Sequence, residues 1–277
     1  MTVAEDIERH LPGTNCTFVR TAESSVTTAW GVHWNEMQIA RDVLQNFYDA
    51  NNHQLEKVTV TMHQSDVRIA APASLMEPLH LIVGLGNPGV EYTKTRHNAG
   101  FLLVEKLAGR WQADWKLDRK FEVRMARAEP NGRRVWLCQP QTFMNLSGQA
   151  VGAVMGFFQI QPTAGLLVVV DDADLPLGEI RMRTGGSSGG HHGLESIEQH
   201  LGSREFARLR LGIGRRDGAR EITDYVLSRF DANEGALMEK VLDRAADQAE
   251  CWLSDGIQKA MNQFNGVVDS ANEEKKQ

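Results

Sequence analysis

A chain of 277 residues, 42% hydrophobic and 24% charged, has the make-up of a globular protein with one large domain or two ordinary ones. Cys16, Cys138 and Cys251 are odd in number and widely scattered, which excludes a disulfide framework and a C-x-x-C metal site and fits a reducing compartment. The chain starts "MTVAEDIERH", with early acids and no apolar segment, and no run approaches membrane-spanning length, so an unexported, cytoplasmic protein without a membrane partner is expected.

Residues 1–78 are rich in loop punctuation ("PGTN", "AESSVTT", "AAPASLMEP") around one helical stretch, "NEMQIARDVLQNFYDANNH". "RDVLQNFYDA", followed by the alternating "KVTVTM", resembles the start of the histidine-kinase and Hsp90-type ATPase fold. The resemblance implies that Asn46 matches the asparagine that helps hold magnesium and ATP there. The glycine-rich boxes that complete such a pocket do not follow, so an appended segment without ATPase activity, either an incomplete fragment or partly disordered, is expected, with a chance amphipathic helix as the plain alternative.

"LHLIVGLGNPGVEYTKTRHNAGF", residues 79–101, contains the dinucleotide fingerprint G-x-G-x-x-G at Gly84, Gly86 and Gly89. That fingerprint needs a strand running in and a helix leaving, because the helix N-terminus holds the pyrophosphate. The strand is present. The residues after Gly89 carry no apolar stripe at helical spacing, Pro88 removes an amide donor, and no carboxylate follows at a second strand end. The context of the glycines therefore argues against a bound NAD. A helix is predicted only from about 100 to 110.

Beyond it, "FEVRMARA" reads as an exposed or antiparallel strand, and "RRVWLCQP", "GLLVVVDD" and "RLRLGIG" read as further strands, with helices near 148–158 and 192–201. "LLVVV" is apolar throughout, as a strand covered on both faces should be. The fold class expected is α/β: a single mixed, mostly parallel sheet with helices on both faces, in a domain over 79–265. A last helix opens at Asp231 with Glu234 three residues on and buries Leu237, Val241, Ala245, Trp252 and Ile257. Residues 266–277 are expected to be a polar tail.

Charge is uneven along the chain. Residues 1–79 carry −5, residues 80–230 carry +4 and residues 231–277 carry −5. Within the basic middle, Arg204, Arg208, Arg210, Arg215, Arg216 and Arg220 face only Glu205 and Asp217. This leaves room for a local phosphate-binding surface despite the acidic total, with a solvated charged edge as the plain alternative.

Four clusters sit at or just after strand ends, where an open α/β sheet collects its site: Asn87 with His97; "QTFMNLSG" with Met144 and Asn145; "DDADLPLG" with Asp171; and "RMRTGGSSGGHHGLESI" with His191 and His192. Hydrolysis by water needs a base that titrates near neutrality, which points to His97, and a carboxylate to orient it, for which Asp171 is the candidate. The amides of Asn87 and Asn145 are neutral donors suited to a developing oxyanion, and Met144 offers an adaptable apolar wall. No G-x-S-x-G elbow is present and Cys138 lies within a strand pattern, so water is the expected nucleophile. Adjacent His191 and His192 rarely face one ion, and no companion ligands follow, so no metal is expected.

Taken in order, "LIVGLGNPGVEYTKTRHNAGF", "QPQTFMNLSGQAV", "VVVDDADLPLGEIRMR" and "RLRLGIGR" closely resemble bacterial peptidyl-tRNA hydrolases over residues 80–265. The resemblance implies a monomeric esterase that cleaves the ester between peptide and tRNA in peptidyl-tRNA, without metal or cofactor. It implies catalytic roles for His97, Asp171, Asn87 and Asn145. Substrate contacts are implied for Tyr92, Met144, Asn145, His191 and His192, and for Arg183 and Arg210 on the tRNA 5′ phosphate. "GGSSGGHHG" reads as a flexible loop over the peptide channel. One departure stands out, since the family's G-G-H-N-G is here Gly189-Gly190-His191-His192-Gly193. This keeps a second reading open: relatives in plant organelles use the same fold to bind RNA and assist splicing without hydrolysis.

Overall fold

The computed structural model describes residues 59–63, 66–70, 79–215 and 222–268. The chain divides into two units, Met1–Glu77 and Pro78–Gln277. In the first, β1 (Thr59–His63) and β2 (Asp66–Ala70) pair antiparallel, with Thr59 opposite Ala70 and His63 opposite Asp66. Alternating, β-branched residues suit such a ladder. The helix expected around Asn46, the residues 269–277, and Arg216, Asp217 and Arg220 lie outside the described residues.

The second unit runs β3 (His80–Gly84), a 3-10 turn (Arg96–Asn98), α1 (Ala99–Arg110), β4 (Trp115–Asp118), β5 (Val123–Ala128) and β6 (Val135–Pro140). It continues with a 3-10 turn (Met144–Leu146), α2 (Ser147–Phe158), α3 (Pro162–Gly165), β7 (Leu166–Asp172), β8 (Glu179–Arg183), α4 (His192–Leu201) and β9 (Ala207–Gly212). It closes with α5 (Ile222–Val226), α6 (Ala232–Asp255), α7 (Ile257–Phe264) and β10 (Gly266–Val267).

Eight of these strands form one mixed sheet in the order β10-β8-β9-β7-β3-β6-β5-β4. The central β9, β7, β3 and β6 are parallel, and every antiparallel pairing lies on the flanks. Because β4 and β10 reverse direction again, six of the eight strands run the same way and only β5 and β8 oppose them. The central strands are buried on both faces, which is why "LIV" and "LLVVV" show no alternation. Ile82, Leu167, Val169 and Leu209 point to one core with α1, α6 and α7. Leu81, Val83, Val168 and Val170 point to the other with α2 and α4. Fully burying each such side chain contributes roughly 1.5–3 kcal/mol.

The helices start where their caps require. Asp231 accepts from the amides of Asn233 and Glu234 while Glu234 accepts from the amide of Asp231, a complete capping box for α6. Within α6, Val241, Ala245 and Trp252 are buried, whereas Leu237 and Ile257 are half-buried, the latter because Gly256 ends α6 and Ile257 opens α7. The tail expected from 266 also needs correction. Gly266 and Val267 pair with Ile180 and Glu179, and Val268 donates to the Gly178 carbonyl, so residues 266–268 belong to the edge of the sheet. The antiparallel β8 and β10 have few residues and little apolar content, which hid them in the sequence.

The glycine fingerprint has a packing explanation. A Cβ on Gly84 would lie 2.2 Å from the Gly100 carbonyl oxygen, and one on Gly100 would lie 2.4 Å from the Leu85 amide nitrogen and 2.5 Å from the Val169 carbonyl oxygen. These two glycines let α1 meet the ends of β3 and β7 backbone to backbone. Only Gly89 of the fingerprint has a positive φ, 117°. Gly100→Ala is therefore expected to separate α1 from the sheet and destabilise the unit by about 1–3 kcal/mol. Urea denaturation of both proteins measures this, with Gly109→Ala, which meets open space in the same helix, as the control for the gain in helix propensity.

Candidate active site

The C-terminal ends of β7, β3 and β6 lie side by side, and the chain leaving each supplies part of one site. After β3 comes Asn87, β7 ends with Asp171 and Asp172, and β6 leads into the turn at Met144. His97 enters from the 3-10 turn before α1, and His191 caps α4.

Asp171 is 4% exposed. Its Oδ1 accepts from His97 Nδ1 at 2.9 Å and from His191 Nε2 at 3.2 Å. The amides of Gly193 and Leu194 donate to His191 Nδ1 at 3.1 and 3.4 Å, so that nitrogen is unprotonated and Nε2 carries the hydrogen given to Asp171. His97 gives its Nδ1–H to the carboxylate, which leaves Nε2 as the basic nitrogen. Burial disfavours ionised Asp171, but the charge of His97 and the hydrogen bonds from both imidazoles outweigh it and hold the carboxyl well below the usual range. Burial likewise disfavours protonated His97, yet the charge and hydrogen bond of Asp171 prevail and raise its pKa above the ordinary histidine value.

Asn87 is fixed at three points. Its backbone N–H donates to Asn98 Oδ1 and its carbonyl accepts from Asn98 Nδ2, each at 3.0 Å. Its side-chain oxygen accepts from the Met144 amide at 3.0 Å. With the oxygen so engaged, the NH2 group remains the free end of the amide. Asn87, His97, Asp171 and His191 line one cavity of about 430 Å³, together with Arg210, His192 and the wall residues Val226 and Leu227.

A second, more open cavity is lined by Asn87, Phe143, Met144, Asn145 and His192. Asn145 is exposed there and does not line the His97 cavity, with which the second shares only Asn87 and His192. His192 is 76% exposed on its side chain, and its Nδ1 lies 3.1 Å from Glu195 Oε2. Tyr92 is half-buried and lines neither cavity; its carbonyl accepts from the amide and hydroxyl of Thr95.

The two arginines expected at a phosphate differ sharply. Arg183 ends β8 and is exposed. Arg210 is half-buried and donates to Asp172 Oδ2 at 2.9 Å and to the carbonyls of Ser187 and Ser188 at 2.8 and 3.2 Å, so it pins the glycine-rich loop. Arg208, fully buried, donates to Ser187 O and Glu198.

His97, Asp171 and His191 bring three potential metal-ligand atoms within 4.8 Å of one another. Their facing lone pairs and hydrogens are already matched to each other, and His191 Nδ1 is taken by the start of α4. Cys138 is fully buried in β6, and burial pushes its thiol far above the usual range, so it offers no thiolate.

Asn98, Arg96 and Asp172 have parts here that sequence reasoning did not assign. Each adjoins a chosen residue, and nothing in "TRHN" or "DDAD" says which neighbour points inward.

A family model described as peptidyl-tRNA hydrolase matches residues 81–276. A peptidyl-tRNA hydrolase of Chloroflexus aggregans is 48% identical over 185 residues, 67% of this chain and 98% of that protein. One of Synechococcus sp. is 46% identical over 187 residues, 68% of this chain and 83% of that protein. The crystal structure of peptidyl-tRNA hydrolase from Acinetobacter baumannii superposes with a TM-score of 0.65 at 42% identity, covering 69% of this chain and 96% of that one. With matching sequence over two thirds of its length and matching architecture, the chain belongs to the peptidyl-tRNA hydrolase family.

Proposed function

We propose that the chain, a peptidyl-tRNA hydrolase by family, cleaves the ester between peptide and tRNA through a water molecule activated by His97. The observation that carries this is the pairing of half-buried His97 with buried Asp171, facing the same cavity as Asn87. His97 Nε2 takes a proton from water as the oxygen attacks the ester carbonyl, and Asp171 stabilises the imidazolium formed. The Asn87 NH2 group, aimed by the Met144 amide on its other end, donates to the oxyanion. The proton on His97 then passes to the ribose oxygen that leaves, so free peptide and tRNA result. Asn145 and Met144 act on the peptide side of the site, and Tyr92 acts as part of the loop that carries Asn87. Arg183 meets the tRNA phosphate directly, while Arg210 holds the glycine-rich loop. In this reading the reaction uses no metal or cofactor, runs in the cytoplasm, and is carried by a monomer through residues 79–265. Residues 1–78 are an appendage without ATPase activity. Among the described residues no helix is long and apolar enough to cross a membrane.

Single-turnover release of an N-acetyl-aminoacyl group from tRNA is the direct test. His97→Asn should lower kcat/KM by roughly 10²–10⁴-fold, with wild-type activity unaffected by EDTA; RNA binding without turnover in the wild type would overturn the assignment. The acid limb of the wild-type profile should fall above the ordinary histidine value of about 6.5, since the His97 pKa is raised. Stability moves the opposite way. A raised folded-state pKa contributes stability fully below the unfolded value, lost as pH rises through the folded one. The wild type's advantage in Tm over His97→Asn should therefore grow as activity declines on acidification.

Arg183→Ala should raise KM with kcat nearly unchanged and flatten the salt dependence of binding by a log–log slope of about 1. Arg210→Ala should also lower kcat, because it frees the loop that leads to His191. An unchanged salt slope in Arg183→Ala would remove that residue from the RNA contact.

His192→Asn restores the family's residue at an exposed position that faces the half-buried Glu195. It should keep or raise kcat/KM, as steady-state kinetics will measure; a tenfold loss would mean that imidazole has become part of this site.

A further inference from the structure

Arg96 precedes His97 and is 3% exposed, although arginine is almost never buried unless paired. Its guanidinium donates from Nη1 to Ser228 Oγ and to the Arg229 carbonyl, each at 2.6 Å, and from Nη2 to Glu234 Oε2. It also lies over two aromatic rings, 4.5 Å from the centroid of Tyr225 and 5.1 Å from that of Phe230. The backbone repeats the attachment, for the Arg96 amide donates to Ser228 O at 3.0 Å and Thr95 bridges to Arg229.

Each partner is itself anchored. Glu234 belongs to the capping box of α6, and Tyr225 donates its hydroxyl hydrogen to Ile213 O at 2.7 Å, just beyond β9. Val226 and Leu227, in the same segment, form part of the wall of the His97 cavity. The 3-10 turn bearing His97 has no side-chain cap of its own. Its position is set from outside, through the residue whose neighbour must hold a 2.9 Å bond to Asp171.

We propose that Arg96 is a positioning residue for the reaction: by clamping the His97 turn to the segment Tyr225–Glu234, it holds the imidazole on Asp171 and fixes that wall of the cavity around it. Arginine is required because one planar fork serves Ser228, Arg229 and Glu234 together while stacking on two rings. A lysine ammonium keeps the charge and loses that geometry. The inference rests on His97 being the base, and its test separates the two.

In Arg96→Lys, kcat should fall on the order of 10- to 100-fold, the loss expected from a small displacement of a catalytic group, with KM within about twofold of wild type. The His97 Nδ1–H signal, a slowly exchanging imidazole proton in 15N-edited NMR of the wild type, should broaden or vanish. Ser228→Ala, which removes one acceptor and keeps the fork, should show both effects in smaller measure and decides the matter where Arg96→Lys does not fold. A variant that is merely less stable, with wild-type kcat and an intact His97 signal, would refute the clamp and leave Arg96 a structural residue. Loss of the signal in Arg96→Lys together with an active His97→Asn would support the clamp and reject His97 as the base.

Discussion

Burying a carboxylate is costly unless donors replace the water it loses. Asp171 meets that requirement with two imidazole N–H groups on a single oxygen, and much of the surrounding structure follows from it. His191 can donate from Nε2 only because Nδ1 accepts from the first amides of α4, so the helix start, the loop before it and β7 are locked to one another. His97 can donate only if the 3-10 turn before α1 stands at the end of the same strand. The depressed pKa of Asp171 adds stability above its unfolded value, and that stability is lost as pH falls through the lower folded value.

The close approach of α1 to the sheet meets the same requirement from the other side. Gly84 and Gly100 remove the side chains that would hold the helix away, and Asn98, at the end of the 3-10 turn, then reaches both backbone groups of Asn87. His97 and Asn87 are thus tied to each other through the adjacent Asn98. Gly84, which reads as the first glycine of a nucleotide fingerprint, serves helix–sheet contact here.

The central strands were legible because burial on both faces leaves uninterrupted apolar runs such as "LLVVV". The long α6 was legible from its capping pair. β4, with an exposed and half-exposed pattern, and β8 and β10 on the opposite flank were not, since flank strands need no apolar face of their own. At the site, residue types pointed to a base, a carboxylate and amide donors, but type alone could not assign neighbours. In "DDAD" the alternation of a strand sends Asp171 toward the two histidines and Asp172 toward Arg210. The same holds for His191, which turns inward to cap α4, and His192, which turns out to Glu195. Arg210 reads from sequence as a free cation on a strand, whereas three of its possible hydrogen bonds are spent inside the molecule.

Those internal pairings bear on how the base can work. The cavity wall carries Asp172 and Asp174, either of which could act on His97, and Arg210 and Arg215, which would act against protonation. They are matched instead, Asp172 with Arg210 at 2.9 Å and Asp174 with Arg215 at 3.4 Å. Burial and Asp171 are then the influences that set the pKa of His97, and Asp171 prevails. In the proposed reaction, a cationic oxyanion donor would upset that balance by opposing the positive charge His97 would acquire on accepting a proton. The amide of Asn87 does not, because it is neutral and its oxygen is already bonded to Met144 N–H. Under the proposed mechanism, a neutral donor beside a carboxylate-backed imidazole lets charge separate across the reacting atoms, with the negative end at Asn87 and the positive end between His97 and Asp171.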